Sequence, residues 1–567
     1  MADLPRIAVI ADAHFHDLEG NFEFPAIEVD GERVAIRSWA DTRESTRVFN
    51  ESAKALDEAL AEVVRRDIRH VVLLGDYTDD GQRQTTERLR AILERHEREH
   101  DTRFYALPGN HDIFGPKGRH HTKQFLGANA ARVIVTSDGE KAGPGTYATP
   151  LMYCEGYPKG LAPMAAFGYF RRPGDIHWET PFGTSDKAED RLYQVSSPEG
   201  RNSYTLMDAS YLVEPAPGLW LMMIDANVFE PRDGTFEEEG GEAAFVDSTG
   251  AGWNALLRLK PFIIEWIADV SARARRLGKT LLAFSHYPVL DPFDGATGAE
   301  GVLFGETNIA RRTPREAVAE VLIDGGMTVH FSGHLHVEGV TRRERGGRQL
   351  TNIAVPSLVA FPPAFKVVES SASDLLVETI ELYSTAVDPR ILHGYRREMA
   401  QLEENLNPAF DPSDYGALLK AHKRALVQHR YFPKEWPKEV VDEISGLTVE
   451  RICERLGGPG TIADVVAACA LEDAGQLARL DMLELIADWY CLRQAAVLAL
   501  DKIPAPRLWL YRALAERFGR PPESGWDGST DGFLSIFFGA FDAFLDRAEA
   551  GGLRIRIENA SAKEEAA

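Results

Sequence analysis

The chain has 567 residues, of which 44% are hydrophobic and 26% charged, and its formal net charge is -24. This length exceeds what one hydrophobic core usually organises, so we expect two domains. The negative charge disfavours nonspecific binding to a nucleic-acid backbone or an anionic membrane, although a local cationic pocket remains able to bind phosphate.

The predicted elements begin with alternating strands and a helical pattern. Apolar runs at residues 7–11, 70–74 and 103–107 predict strands, and residues 50–67 and 85–99 repeat apolar positions at helical spacing. Continuous apolar runs indicate strands that are buried on both faces. The order βαβαβ therefore predicts a parallel sheet with right-handed crossovers.

A long irregular segment follows at about residues 115–211, rich in Gly, Pro, aromatic and charged residues, which we interpret as an insertion beside the functional site. Regular patterns then return. Strands are predicted at 219–224, 280–284, 328–331, 349–355, 365–368 and 375–382, and helices at 261–277 and 315–323.

After about residue 388 the sequence becomes helical. Helices are predicted at 392–405, 413–430, 449–456, 461–470, 474–500 and 532–550. We therefore predict a catalytic domain at residues 1–388 and a helical C-terminal domain at 389–567 with a disordered tail from 559. Because the C-terminal region lacks a cluster of metal-binding residues, we expect it to cover the catalytic domain or to form a homo-oligomer contact.

Cysteine content and hydropathy indicate the compartment. No apolar stretch is long enough to cross a bilayer, and the N-terminus does not resemble a signal peptide. The four cysteines lie far apart and without C-x-x-C spacing: Cys154, Cys453, Cys469 and Cys491. A reducing cytoplasm is the expected location.

Five of the predicted strands end in side chains that bind divalent metals. In open α/β sheets, ligands collect beyond the carboxyl ends of the strands. A single D-x-H or H-x-H would be weak evidence, but five successive strand ends of this kind favour a metal site over buried polar groups without partners. The clusters are Asp12 with His14, Asp76, Asn110 with His111 and Asp112, His286, and His334 with His336.

These residues suffice for two neighbouring metals. Two metals need a bridging carboxylate and a mixture of nitrogen and oxygen donors. Asp76 is the best candidate for the bridge. We assign Asp12, His14 and His336 to one metal, and Asn110, His286 and His334 to the other.

The order of these motifs resembles the calcineurin-like metallophosphoesterase superfamily. The motifs are D-x-H, G-D-x-x-D-x-G, G-N-H-D, a lone His after a strand, and G-H-x-H, over about residues 5–385. The resemblance implies a four-layer αββα sandwich, paired metals and hydrolysis of a phosphate ester. It places the family's metal ligands on the seven residues assigned above and its catalytic histidine on His111.

Departures from two branches narrow the resemblance. Ser/Thr protein phosphatases carry Arg and Glu where this chain has Asp80 and Asp112, and purple acid phosphatases carry a Tyr ligand where it has Asp79. A closer likeness is to bacterial class III cyclic-nucleotide phosphodiesterases with a helical C-terminal region. It rests on looser patterns at residues 210–226 and 351–362.

The expected activity is hydrolysis of a small phosphodiester, such as a cyclic nucleotide, by a hydroxide that bridges two Mn, Fe or Zn ions. His111 would protonate the leaving oxygen, while Asp79 and Asp112 would orient the motif loops or imidazoles. Phosphomonoesterase or nucleotidase activity is the alternative, and a noncatalytic scaffold is less favoured because no ligand is missing. The acidic charge disfavours nucleic-acid polymers as substrates.

Overall fold

The structure is a computed structural model that describes residues 4–370, 374–402, 410–468 and 479–558. Cys469 and the predicted tail at 559–567 lie outside the described residues, as do parts of the predicted helices at 392–405, 461–470 and 474–500. None of the described helices has the length and apolar content needed to cross a bilayer.

One six-stranded sheet contains the predicted βαβαβ unit. Its three parallel strands are neighbours and are followed by antiparallel strands at one edge. From that edge the order is Arg554–Glu558, Asp374–Glu381, Ala364–Ser370, Ile7–Ile10, His70–Leu74 and Arg103–Leu107. The crossover helices are Ser52–Arg65 and Arg83–His100. The parallel sheet predicted for this region is confirmed.

The second sheet has seven strands, four of them consecutive and parallel. Its order is Gly339–Arg345, Arg348–Ala354, Val329–Ser332, Thr280–Ser285, Leu219–Ile224, Tyr211–Ala216 and His177–Glu179. Helices in this part of the chain are Gly252–Leu259, Pro261–Arg276, Gly298–Phe304, Asn308–Arg312 and Glu316–Asp324. The helix Gly252–Leu259 was missed by the sequence analysis.

The strand Leu219–Ile224 shows how the layers are stacked. Leu221 and Met223 join a core that also contains Val72 and Tyr105 of the first sheet. Met222 packs into a different core, with side chains of the helices Gly252–Leu259, Pro261–Arg276 and Glu316–Asp324. Because alternate residues of a strand face opposite sides, this strand is buried between the other sheet and a helical layer. The predicted four-layer α/β sandwich is confirmed.

The insertion folds into small sheets and short helical turns. One sheet comprises Thr122–Leu126, Arg132–Thr136 and Thr146–Ala148, and another Leu192–Ser196 and Ser203–Met207. A further pair, Ile27–Val29 with Glu32–Val34, and the short helix Trp39–Thr42 lie earlier in the chain. Short 3-10 or π turns occupy Gly139–Lys141, Pro150–Met152, Lys159–Met164, Ala165–Tyr169, Ala188–Asp190, Glu242–Ala244 and Ser248–Gly250.

The C-terminal region is largely helical, as predicted. Its α-helices are Pro389–Gln401, Tyr415–Leu426, Phe432–Lys434, Lys438–Ile444, Val449–Gly457, Thr461–Ala468, Met482–Ala495, Ala505–Phe518 and Thr530–Ala550. Short turns occur at Val427–Tyr431, Ala496–Ala499 and Pro522–Ser524. After them the strand Arg554–Glu558 pairs with Asp374–Glu381 and completes the edge of the first sheet. The division between residues 388 and 389 stays a prediction.

A buried carboxylate lies where the first crossover helix meets the C-terminal region. The side chain of Glu51 is 3% exposed, and its Oε1 accepts a hydrogen bond from the Tyr395 hydroxyl at 3.3 Å. Its Oε2 is buried and has no hydrogen-bond partner. Burial raises the pKa of Glu51 from 4.5 to about 7.

This raised pKa predicts a pH-dependent stability. The folded protein binds the Glu51 proton more tightly than the unfolded chain does, so Glu51 should cost stability as pH rises from about 4.5 to about 7. Glu51→Gln should raise the melting temperature at pH 8 and change it little at pH 5, with a gain of about 3 kcal/mol as the upper limit. Thermal unfolding at both pH values tests this; an equal shift at pH 5 and pH 8 would contradict it.

Candidate metal centre

The motif loops that follow the parallel strands meet at one edge of the sandwich. The amide of Asp12 donates to the carbonyl of Gly75 at 3.1 Å, and the amide of His14 donates to the carbonyl of Asp76 at 2.8 Å. The amide of His334 donates to both carboxylate oxygens of Asp12, at 3.1 and 3.0 Å. These hydrogen bonds therefore hold together loops that are far apart in the sequence.

Asp12, His14 and His336 form the first group of candidate ligands. The Nε2 atom of His336 lies 3.3 Å from Asp12 Oδ1 and 3.1 Å from His14 Nε2. His14 Nε2 is also 3.8 Å from Asp76 Oδ2. The structure therefore brings these three predicted ligands close together.

Asp76, His286 and His334 form the second group. His286 Nε2 lies 3.2 Å from Asp76 Oδ2 and 3.3 Å from His334 Nδ1. The Oδ1 atom of Asn110 is buried and accepts no hydrogen bond from the described residues. Asp76 Oδ2 lies within 4 Å of an imidazole from each group, which is where a bridging carboxylate would be expected.

The residues fit a pair of divalent metals. Imidazole and carboxylate ligands bind at about 2.0–2.2 Å, so two donors on one ion are separated by about 3.0–3.5 Å. The two histidine N···N distances, 3.1 and 3.3 Å, lie in this range. The mixture of imidazole, carboxylate and amide donors suits Mn, Fe or Zn.

The protonation of the imidazoles is consistent with this role. Burial lowers the pKa of His14 and of His334 well below 6.5, so both are neutral at pH 7 and able to bind a cation. Burial also opposes protonation of His286, but the Asp76 carboxylate raises its pKa to about 9. A metal bound there would displace that proton.

Five candidate ligands have a left-handed backbone. The φ angles are +49° at Asp12, +40° at His14, +47° at Asp76, +71° at His334 and +54° at His336. Residues other than glycine rarely adopt this conformation, and such strain is concentrated at functional sites. The hydrogen bonds between the motif loops hold these residues in the strained conformation, and their side chains then face the candidate metal centre.

Two motif glycines permit the close approach of these loops. A Cβ atom at Gly109 would lie 2.1 Å from Asp76 Oδ1, and one at Gly333 would lie 2.5 Å from Asp12 Oδ2. Both distances are far below van der Waals contact. Any side chain at either position would displace a candidate metal ligand.

His111 lies beside the two groups and at the cavity surface, with its side chain 27% exposed. Its ring centroid is 4.9 Å from that of His14. Its Nδ1 forms a short hydrogen bond with Asp80 and lies 3.3 Å from Arg47 Nη2, while its backbone amide donates to Asp76 Oδ1 at 2.7 Å. The pairing with Asp80 leaves the other ring nitrogen of His111 free to face a substrate.

Asp79 is buried in a cluster of cations and does not contact an imidazole ligand. It pairs with Arg37 at 2.9 Å, Arg47 at 2.8 Å and Lys123 at 2.5 Å. Although burial opposes ionisation, Lys123 and the arginines hold the pKa of Asp79 below its usual range. Asp79 therefore anchors Arg47 beside His111.

Asp112 joins the second motif loop to the third. Its Oδ1 accepts from the amide and hydroxyl of Thr78, at 2.9 and 2.7 Å, and its Oδ2 accepts from the Gly109 amide at 2.9 Å. Burial, assisted by the charge of Asp76, raises the pKa of Asp112 to about 7. These contacts are with backbone and hydroxyl groups, so Asp112 orients the loops.

A cavity of about 360 Å³ opens onto the candidate metal centre. The C-terminal helical region forms part of its wall, through Arg430, Tyr431, Glu435, Arg493 and Gln494. Gln494 also supports a candidate ligand, because its Nε2 donates to the carbonyl of His336 at 2.8 Å. The helical region thus contributes to the site as well as covering it.

The Gln494 contact predicts an effect on metal binding. Gln494→Ala would remove the side-chain donor that fixes the His336 backbone, and loss of such supporting contacts typically weakens metal affinity 10- to 100-fold. Competition with a chelator, followed by metal analysis, measures this. Gln428→Ala, an exposed glutamine in the same region, is the control; equal metal retention by both variants would contradict the prediction.

The cavity residues that lie outside the motifs were not predicted from the sequence. Arg47, Arg312, Arg430 and Gln494 line the cavity but stand in no recognisable pattern, and the arginines are three among 63 lysines and arginines. Asp80 was noted only as a departure from protein phosphatases, whereas the structure pairs it with His111. The sequence signal for this role of Asp80 was its position directly after Asp79, within the second motif.

Comparison with known proteins agrees with the site geometry. Residues 5–151 match the sequence profile of the calcineurin-like phosphoesterase family. No curated protein sequence matches the chain significantly.

Several solved structures are similar in part. A dimetal phosphatase from Danio rerio has 16% identity and a TM-score of 0.36, over 66% of this chain and 96% of that protein. A putative 5′-nucleotidase from Staphylococcus aureus has 10% identity and a TM-score of 0.30, over 70% and 58%. A sulfate thiohydrolase from Thermus thermophilus has 12% identity and a TM-score of 0.29, over 70% and 60%. These values are too low to support an inference.

The profile match includes Asp12, His14, Asp76 and Asn110, and the structure brings His286, His334 and His336 from later strands to the same place. Residues 5–151 therefore match the calcineurin-like phosphoesterase family, and the two buried groups of His and Asp residues form a candidate dimetal site of the kind that a metal-dependent phosphoesterase needs.

Proposed function

We propose that this protein hydrolyses small phosphodiesters with a pair of metal ions, and that cyclic nucleotides or similar diesters are its substrates. We assign Asp12, His14 and His336 to one metal, Asn110, His286 and His334 to the other, and Asp76 to both. The single observation that carries the proposal is the convergence of the two buried ligand groups on Asp76.

The metal pair, when bound, would lower the pKa of a water molecule and offset charge on the phosphoryl oxygens. The protein supplies the remaining functions. His111, oriented by Asp80, would donate a proton to the departing ester oxygen. Arg47 lies beside His111 in the cavity wall and is held there by its ion pair with Asp79 at 2.8 Å.

Three observations favour small diesters over phosphoproteins and long polymers. Asp80 and Asp112 replace the Arg and Glu that the resemblance to protein phosphatases would require. The cavity of about 360 Å³ is suited to a small molecule, and the net charge of -24 opposes the approach of a polyanion. We infer that the closest activity is that of the class III cyclic-nucleotide phosphodiesterases.

The test is a parallel assay of the Mn-loaded protein with bis-p-nitrophenyl phosphate, p-nitrophenyl phosphate and cyclic nucleotides. We expect kcat/KM for diesters to exceed that for the monoester. Monoester turnover far above diester turnover would favour the alternative, a phosphomonoesterase or nucleotidase. Absence of turnover from protein with two bound metals would favour a noncatalytic scaffold.

A further inference from the structure

The cavity over the metal centre is cationic although the protein as a whole is acidic. Four arginines line it: Arg47, Arg312, Arg430 and Arg493. Two of them are already neutralised. Arg47 pairs with Asp79 at 2.8 Å, and Arg493 forms two bonds to Glu300, at 2.5 and 2.6 Å. Because these ion pairs offset their charges, Arg47 and Arg493 contribute little to the attraction of a further anion.

Arg312 and Arg430 differ from these two arginines because neither forms an ion pair with a described residue. The half-buried guanidinium of Arg312 forms no hydrogen bond or ion pair with any residue that the structure describes. Arg430 donates from Nη1 to the carbonyl of Glu44 at 2.8 Å, while its Nε is buried and has no hydrogen-bond partner among the described residues. A buried charged donor without a partner is costly, so an anion that contacts both side chains would be stabilised.

The two arginines come from distant parts of the chain and line the same cavity. Arg312 ends the helix Asn308–Arg312, beside the turn Ser248–Gly250, and Arg430 lies in the turn Val427–Tyr431 of the C-terminal region. They are close enough for their like charges to interact, and burial with this repulsion lowers the pKa of Arg312. An anion between them would relieve the repulsion.

The carboxylates in the same cavity do not supply that anion. Asp247 is near enough to Arg312 for their charges to attract, but its carboxylate accepts from the amide and hydroxyl of Thr249, at 2.9 and 2.7 Å, and no ion pair within 4 Å joins it to Arg312. Glu435 forms no ion pair among the described residues, and burial raises its pKa although the charges of Arg493 and Arg430 oppose that rise. Direct contacts to Arg312 and Arg430 therefore remain available to an anion.

We propose that Arg312 and Arg430 bind a second phosphate group of the substrate, so that the preferred ester carries one phosphoryl group at the metals and another at this arginine pair. This inference rests on the proposed function, because the first phosphoryl group is placed at the metal centre. It narrows the substrate class from simple cyclic nucleotides to phosphate esters with an additional phosphate. Guanidinium groups suit this role because they bind phosphate through paired hydrogen bonds.

The test compares binding of two probes to Mn-loaded protein by calorimetry: thymidine 5′-monophosphate and thymidine 3′,5′-bisphosphate. We expect wild-type protein to bind the bisphosphate at least about 10-fold more tightly. Arg312→Gln and Arg430→Gln should each reduce this ratio about 10-fold. Arg430→Lys, which keeps a donor for the Glu44 carbonyl, should reduce it less. Metal content and circular dichroism verify that each variant is folded.

Lys434→Gln is the matched control, because this exposed lysine lies in the same segment and pairs with Glu44 at 3.5 Å without lining the cavity. It should leave the ratio unchanged. Equal affinity of wild-type protein for both probes, or an unchanged ratio in the Arg312→Gln/Arg430→Gln double variant, would overturn the inference. Turnover of bis-p-nitrophenyl phosphate without a bisphosphate preference would overturn this inference alone. A bisphosphate preference without turnover would overturn only the proposed function.

Discussion

Asp76→Asn is expected to remove metal from both sites and to reduce phosphoesterase activity by at least about 10⁴-fold, the scale on which bound metals contribute to hydrolysis. Asp76 Oδ2 lies 3.8 Å from His14 Nε2 and 3.2 Å from His286 Nε2, so one carboxylate faces both ligand groups. The amide of Asn is neutral and cannot offset the charge of two cations. Metal analysis by mass spectrometry, together with a diester assay, measures both effects.

A second buried aspartate provides the control for this variant. Asp17 follows the first motif, and its Oδ2 accepts a hydrogen bond from Gln84 at 2.9 Å, outside either ligand group. Asp17→Asn should retain both metals. Full metal occupancy in Asp76→Asn would remove this residue from the bridging role.

His111→Ala is expected to keep both metals but to lower kcat by about 10²- to 10⁴-fold, the usual contribution of acid–base assistance. The His111 side chain contacts Asp80 and Arg47, whereas the contact with Asp76 is made by the backbone amide and survives the substitution. The expected defect is therefore in proton transfer. Steady-state kinetics and metal analysis of the same preparation separate the two effects.

The structure also permits a competing role for this histidine. Ligand atoms of His14, Asp76 and His111 lie within 4.8 Å of one another, so His111 could itself bind a metal. Loss of metal from His111→Ala, with no separate loss of kcat per bound metal pair, would assign it that role. His120→Ala, at an exposed histidine that contacts Ser137, should change neither quantity.

The parallel strands and the strand-end clusters were predictable because both leave local signals. A strand buried on both faces is a continuous apolar run, as at His70–Leu74, and the polar residue that ends the run must lie at the sheet edge. Since neighbouring parallel strands end at the same edge, the convergence of Asp12 and Asp76 followed from the strand order. Helical periodicity likewise located most of the C-terminal helices.

Long-range features were not predictable from the sequence. The strand Arg554–Glu558 has only five residues and pairs with Asp374–Glu381, from which it is separated by the entire helical region. Arg312 and Arg430 acquire their significance only when a short helix and a distant turn face one cavity. The left-handed backbone at His334 and His336 was also not predictable, because only a few per cent of residues other than glycine adopt it, even though histidine does so more often than most.

The pairing of Arg554–Glu558 with the first sheet has a consequence for how the protein matures in the cell. Ribosomal synthesis delivers Asp12 first, whereas Gln494, which holds His336, emerges nearly five hundred residues later, and the last sheet strand later still. At a typical rate of about 5–20 residues per second, the nascent chain would wait tens of seconds before its metal-binding loops were fully supported. The loop that carries His336 therefore gains its support from Gln494 only after most of the C-terminal region has been synthesised.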